Sequence, residues 1–211
     1  MATTPRTRGP RGPYAKTRAT KQKILDAALL VFAESGFRSG SLREVAERVG
    51  LSDAGLLHHY PTKAALLIAT LQHRDEVATV DFHVDTADGR SLIQNMIDIT
   101  ERNMHQPGVV ELYCTLSAEA TTPDHPAHGY FLERYDWVRD LVTGAFKQLQ
   151  AEGGLRDGID PRSTAIHLVS LMDGLQVQWL LNRDAVDMTL EVKRYLDTLV
   201  VEPFQAPERL A

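Results

Sequence analysis

The chain has a single cysteine, Cys114, among its 211 residues. It therefore has no internal disulfide, and without a second cysteine nearby no thiolate zinc site is suggested. Cys114 reads as a small apolar residue of the interior. Apolar runs are short as well; none approaches the roughly 20 residues that cross a bilayer, so no membrane partner is expected. Residues 1–23 are charged and hold Pro and Gly but lack the apolar stretch of a secretory leader, which makes the cytoplasm the expected compartment. There is no Gly-x-Ser-x-Gly elbow and no catalytic glycine loop, and Ser117, Glu119 and the scattered histidines show no triad spacing. Neither an enzyme activity nor a cofactor is expected. His125 and His128 beside Asp124 resemble metal ligands on paper, but Pro126 breaks helical spacing and no third ligand is indicated, so a polar loop is the expectation and no metal is assigned.

The composition is that of an ordinary globular protein, with 43% hydrophobic and 24% charged residues. Its length allows a sizeable core, in one long domain or two short ones. The net charge of −5 conceals a division along the chain. Residues 1–63 hold eleven Lys/Arg against five Asp/Glu, a balance of +6, and residues 64–211 hold twelve against twenty-three, a balance of −11. A small basic head on a larger acidic body is expected where only the head meets a polyanion.

Residues 1–16 carry Arg6, Arg8, Arg11 and Lys16 with almost nothing apolar, and read as a disordered arm. The arm is either a solvated tail or a contact to DNA. From Thr17, Ile24, Leu25, Ala28, Leu29, Phe32 and Ala33 recur at helical spacing up to Gly36. Ser41-Leu42-Arg43-Glu44 has the form of a capping box opening a second helix, with Leu42, Val45, Ala46 and Val49 inward. Beyond the head, apolar spacing predicts helices near 62–84, 90–106, 108–121, 126–152, 161–183 and 188–201, and no convincing strand. The expected fold is all-α, with a head over 17–62 and a body over 63–211.

The informative stretch is residues 41–63. Gly50 suits the left-handed turn that ends helix two, Leu51 anchors that turn, and Ser52 caps a short third helix. Leu56 faces back toward Val45 and Val49, which leaves Asp53, Ala54, Gly55, His58 and His59 outward on a helix able to enter a major groove. Lys63 begins the next helix, where the positive pole of the helix disfavours a cation unless an anion is near. With Thr62 and free backbone amides it would form a phosphate clamp.

Val45-Ala46, Val49-Gly50-Leu51-Ser52 and 56–63 with Leu66 resemble the DNA-binding head of the TetR family of repressors, over about residues 20–67. That resemblance implies a three-helix head, a homodimer on double-stranded operator DNA, and a C-terminal helical body that binds a small-molecule effector. It places Ser41, Tyr60 and Lys63 on the DNA backbone and Asp53, Ala54, Gly55 and His58 at the bases, with His59 in either role. Arg43, Ser52 and Thr62 belong to the same surface. Leu57 departs from the pattern, standing where many members carry a phosphate-contacting tyrosine.

In the body, Met96, Ile99, Tyr113, Leu116, Phe131, Trp137, Leu141 and Met172 are expected to point inward around an apolar cavity. Asn103, Cys114 and Gln176 supply its polar groups, and the expected effector is hydrophobic or aromatic. Asp173-Gly174 interrupts an apolar helix, as a close packing point, a dimer seam or a pocket floor. The last two helices carry wide apolar faces, and Leu168, Leu175, Trp179 and Leu196 are the expected dimer seam. The alternative is a dimeric DNA-binding protein without an effector.

Overall fold

The computed structural model describes residues 13–84 and 87–206, with side chains from Thr17 onward. The first four helices are α1 (Pro13–Ser39), α2 (Leu42–Val49), α3 (Asp53–His59) and α4 (Lys63–Asp81). Five more follow: α5 (Gly89–Met104), α6 (Pro107–Glu119), α7 (His128–Ala151), α8 (Pro161–Leu181) and α9 (Met188–Asp197). The start of α1 reaches into the segment expected to be an arm; residues 1–12 of that arm lie outside the described residues. Helical geometry in α1 breaks at Gly36, whose φ of 73° and ψ of 163° suit only glycine, so the stop expected there is present. The chain divides within α4, one compact unit ending at Leu71 and the second beginning at Gln72.

The first unit closes on one small core. Ile24, Ala28, Val31 and Phe32 of α1, Val45 and Ala46 of α2, Leu56 of α3, and Leu66, Leu67 and Leu71 of α4 are all fully buried. On α1 and α4 these residues recur at helical spacing, which turns one stripe of each helix inward.

In the second unit α5 packs against α7 and α9, α6 against α8, and α7 along α8. Ile93, Ile97, Val142, Phe146, Leu168, Met188, Val192 and Leu196 form its fully buried centre. Asp88 caps α5 through Ser91 N at 2.8 Å. At the next residue the two helices meet so closely that a Cβ on Gly89 would lie 2.5 Å from the Ala145 carbonyl oxygen of α7. α9 stops at Asp197, four residues short of the expected end, because the chain turns out to make an isolated antiparallel bridge between Val200 and Leu155. Arg156 N to Leu199 O and Val201 N to Gly154 O, both at 2.9 Å, flank that bridge.

Candidate functional site

Local chemistry sets the α2–turn–α3 geometry. Ser41 Oγ accepts from Glu44 N at 3.1 Å, the first half of the expected capping box. The Glu44 carboxylate, expected to close the box, is taken by Arg48 Nη2 at 3.1 Å, and Arg48 also forks onto Glu34 of α1. Gly50 takes φ 70° and ψ 31°, and the following amide, Leu51 N, reaches Ala46 O at 2.9 Å. This left-handed closure satisfies the last carbonyls of α2 and starts α3 within three residues. Ser52 then accepts from Gly55 N at 3.1 Å.

With Leu56 buried, α3 turns Asp53, Ala54 and His58 to solvent, with Gly55 and His59 half-buried beside them. Leu57, 43% exposed, shares this outer surface. Tyr60 caps α3 through its amide on Leu56 O at 2.9 Å, and partial burial raises its phenol above the ordinary value. Arg43 is exposed and pairs with Glu47 one turn on. Thr62 Oγ1 caps α4 by accepting from Ala65 N at 3.0 Å.

Lys63 has a partner that its place in the sequence did not indicate. Its Nζ donates to the Arg38 carbonyl at 2.9 Å and lies 4.9 Å from the centre of the Phe37 ring. Partial burial pushes its ammonium below the ordinary value.

In the body the expected pocket residues divide. Met96, Asn103, Leu116 and Phe131 are buried, and Ile99, Tyr113, Cys114, Leu141, Met172 and Gln176 are partly buried. Cys114 Sγ faces Gln176 Oε1 at 3.7 Å, and burial raises the thiol to about 11, which leaves it protonated and unreactive. Trp137 departs from the expectation: it is 44% exposed on the outer side of α7.

Sequence reasoning missed the groups around which these residues gather. Tyr130 donates to Asp75 Oδ2 at 2.6 Å, and its oxygen lies 3.2 Å from the Tyr113 hydroxyl. Arg134 Nε is 3.4 Å and Arg74 Nη1 3.7 Å from the same Asp75 carboxylate, and Arg74 Nη2 donates to Asn103 Oδ1 at 3.1 Å. Both guanidiniums lie over the Tyr113 ring, at 4.7 Å for Arg74 and 5.5 Å for Arg134. Tyr135 donates to Asp173 Oδ2 at 2.9 Å. The signal was present, since 67, 71, 74 and 75 on α4 and 131, 134, 135, 138 and 142 on α7 continue inward stripes through charged and phenolic residues.

The residues expected at a dimer seam are covered within the single chain. Leu168, Leu175, Trp179 and Leu196 are at most 7% exposed within the single chain, because α8 presents them to the core and α9 packs against α5. The outward stripe of α8 is instead Ile166, Gly174, Val177 and Leu181, with Leu181 82% exposed and open space above Gly174.

A capped helix pair with a left-handed glycine turn and an exposed polar face on its second helix defines a helix-turn-helix DNA-binding regulator. Residues 24–70 match the family described as bacterial regulatory proteins, tetR family, and residues 106–201 match the BetI-type transcriptional repressor C-terminal family. The chain belongs to the TetR family. It is 24% identical over 157 residues to the HTH-type transcriptional regulator UidR of Escherichia coli, covering 74% of this chain and 79% of that one. It is 22% identical over 192 residues to the regulator TtgR of Pseudomonas putida, covering 85% and 89%. Among solved structures, a putative transcriptional regulator from Saccharomonospora viridis in complex with choline superposes with a TM-score of 0.73 at 20% identity, covering 88% of this chain and all of that one. The complex of SmeT, the repressor of a Stenotrophomonas maltophilia multidrug efflux pump, with triclosan gives 0.73 at 20%, covering 92% and 99%.

Proposed function

We propose that the protein is a homodimeric repressor, acting in the cytoplasm, that leaves a roughly palindromic operator when a small hydrophobic or aromatic effector binds its body. The observation that carries this reading is a presented α3 together with a body that holds a partly buried cluster of aromatic and polar side chains. Asp53, Ala54, Gly55 and His58 read base edges, while Ser41, Arg43, Ser52, Tyr60, Thr62 and Lys63 position the phosphates, with His59 in either role. The Phe131, Tyr113, Tyr130 and Tyr135 rings, stacked edge to face or tilted at 5.0 to 6.3 Å, offer the flat walls that an aromatic ligand packs against. Solved relatives of this fold that hold choline and triclosan support a small-molecule effector.

The second copy docks on the outward stripe of α8, where Ile166, Val177 and Leu181 flank Gly174, and on Trp137 of α7, which packs along α8. An effector acts only through its difference in affinity for the DNA-bound and free conformations, so DNA must weaken effector binding by the same factor. Gel shifts on DNA flanking the protein's own gene, repeated across a salt series, test the reading: a selective complex that weakens steeply with salt is expected. Absence of any selective complex overturns it. A selective complex that no metabolite releases leaves a dimeric DNA-binding protein without an effector.

A further inference from the structure

The polar centre of the body is unevenly satisfied, and this narrows the class of effector. Asp75 draws these groups together: it accepts a hydrogen bond from Tyr130 Oη at 2.6 Å and is ion-paired with Arg134 Nε at 3.4 Å and Arg74 Nη1 at 3.7 Å. Two guanidiniums thus stand around the Asp75 carboxylate, and Asp173, held by Tyr135, is a second acid within reach of the Arg134 charge. Arg74 spends a terminal amino group on Asn103. Arg134 does not, because among the described residues neither of its terminal amino groups donates a hydrogen bond, although its side chain is only 23% exposed. The edge left unspent is the one that meets a carboxylate with two parallel N–H bonds. No buried side-chain nitrogen or oxygen among the described residues lacks a partner, so these amino groups are not fully buried. Burying such charges rarely adds stability over apolar packing, which argues for a ligand as the reason the arrangement is maintained.

The apolar surroundings set the rest of the ligand. The Tyr113 ring lies beneath the Arg134 guanidinium, and Phe131 stands 6.2 Å from that ring at 81°. A planar ring attached to the carboxylate would meet these aromatic surfaces edge to face. We propose that the effector is a flat aromatic monocarboxylate, its carboxylate forked on Arg134 and its ring packed against Tyr113 and Phe131. The negative charge is what the Arg134 guanidinium recognises, and a cation there would be repelled by it. The proposal rests on the effector-responsive reading above and gives it a chemistry.

The test is calorimetry on the full-length protein with benzoate, 4-hydroxybenzoate and 2-naphthoate, each against its methyl ester and against choline. At least one acid is expected to bind about tenfold or more tighter than its ester, the worth of a charge-assisted bond pair. Arg134→Lys keeps the charge and the stem but loses the fork, so it is expected to erase that preference while the melting temperature stays near that of the wild type. Arg134→Met should do the same, and the lysine variant decides the matter if the methionine variant fails to fold. Acids that bind no better than their esters, or an Arg134→Lys protein with the wild-type preference, overturn the proposal. Operator release is scored separately. Choline or an ester releasing DNA where no acid does refutes the acid class and keeps the effector reading; acids that bind through Arg134 without releasing DNA keep the class and refute the repressor reading.

Discussion

Lys63 Nζ donates a 2.9 Å hydrogen bond to the carbonyl oxygen of Arg38, tying the first residue of α4 to the last turn of α1. A cation at a helix N-terminus is unfavourable by itself, and here a backbone carbonyl just beyond the Gly36 break answers it. The ammonium has two further N–H bonds, so this tie and a DNA phosphate are compatible. Lys63→Ala is expected to lower stability by about 1 kcal/mol through the lost tie. It should also reduce the salt slope of DNA binding by about one unit, alike for all sequences. Urea melts and salt-dependent binding separate the two effects; an unchanged slope would make Lys63 an internal strut alone.

Gly50 is required for its backbone conformation, since a Cβ there would meet nothing within 4 Å. Gly50→Ala should therefore cost about 1 kcal/mol, the strain of a left-handed L-residue without any clash. That corresponds to roughly 2–4 °C in melting temperature. An unaltered melting temperature would mean that the α2–α3 turn relaxes to another closure.

Leu57 is an apolar residue exposed on the DNA-facing helix, at the position where many family members hold a phosphate-contacting tyrosine. Leu57→Tyr supplies a hydroxyl donor without disturbing Leu56 beneath it, and should tighten binding to all DNA sequences about threefold or more, a net hydrogen bond's worth. Weaker binding would show that the surface docks too closely for a ring.

The head was legible in the sequence because each of its signals is local: a serine as the N-cap of α2 and of α3, a glycine at the left-handed turn, and Leu56 four residues beyond Ser52. The partner of Lys63 was not, because Arg38 offers a backbone carbonyl and no side-chain pattern marks which carbonyl a neighbouring helix will meet. In the body, helix order and type followed from periodicity, but an apolar face says only that something covers it. Leu168, Leu175, Trp179 and Leu196 are covered by their own chain, while the residues left exposed, Val177 and Leu181, sit on the narrower face of the same helix. The Asp75–Arg134–Tyr130 cluster escaped for the opposite reason, since its members are charged or phenolic residues placed inside an apolar stripe.

The two faces of α8 predict opposite outcomes for substitution. Leu168 is fully buried, so Leu168→Glu should unfold the body by leaving a carboxylate unpaired among apolar side chains. Leu181→Glu combined with Val177→Glu should leave helicity intact and, with the second copy docked there as proposed, give a monomer at micromolar concentration. Light scattering with circular dichroism checks both; a folded double variant that remains dimeric places the second copy elsewhere.

Asp173 contributes one pH dependence to stability. Burial raises its carboxyl above the ordinary value, against the opposing pull of the Tyr135 hydrogen bond and of Arg134. The folded chain therefore holds this proton more tightly than the unfolded chain does. Its contribution favours folding while the proton is on, and stability falls as pH rises through the window between the ordinary carboxylate value and the raised one. Asp173→Asn keeps an acceptor for the Tyr135 hydroxyl and removes the titration. The variant is expected to be more stable than wild type above that window and to lose the matching part of the slope in urea melts taken from about pH 4 to about pH 8. A variant less stable by the same amount at every pH would show instead that the ionised carboxylate is net favourable where it stands, held by Arg134 more strongly than burial opposes it.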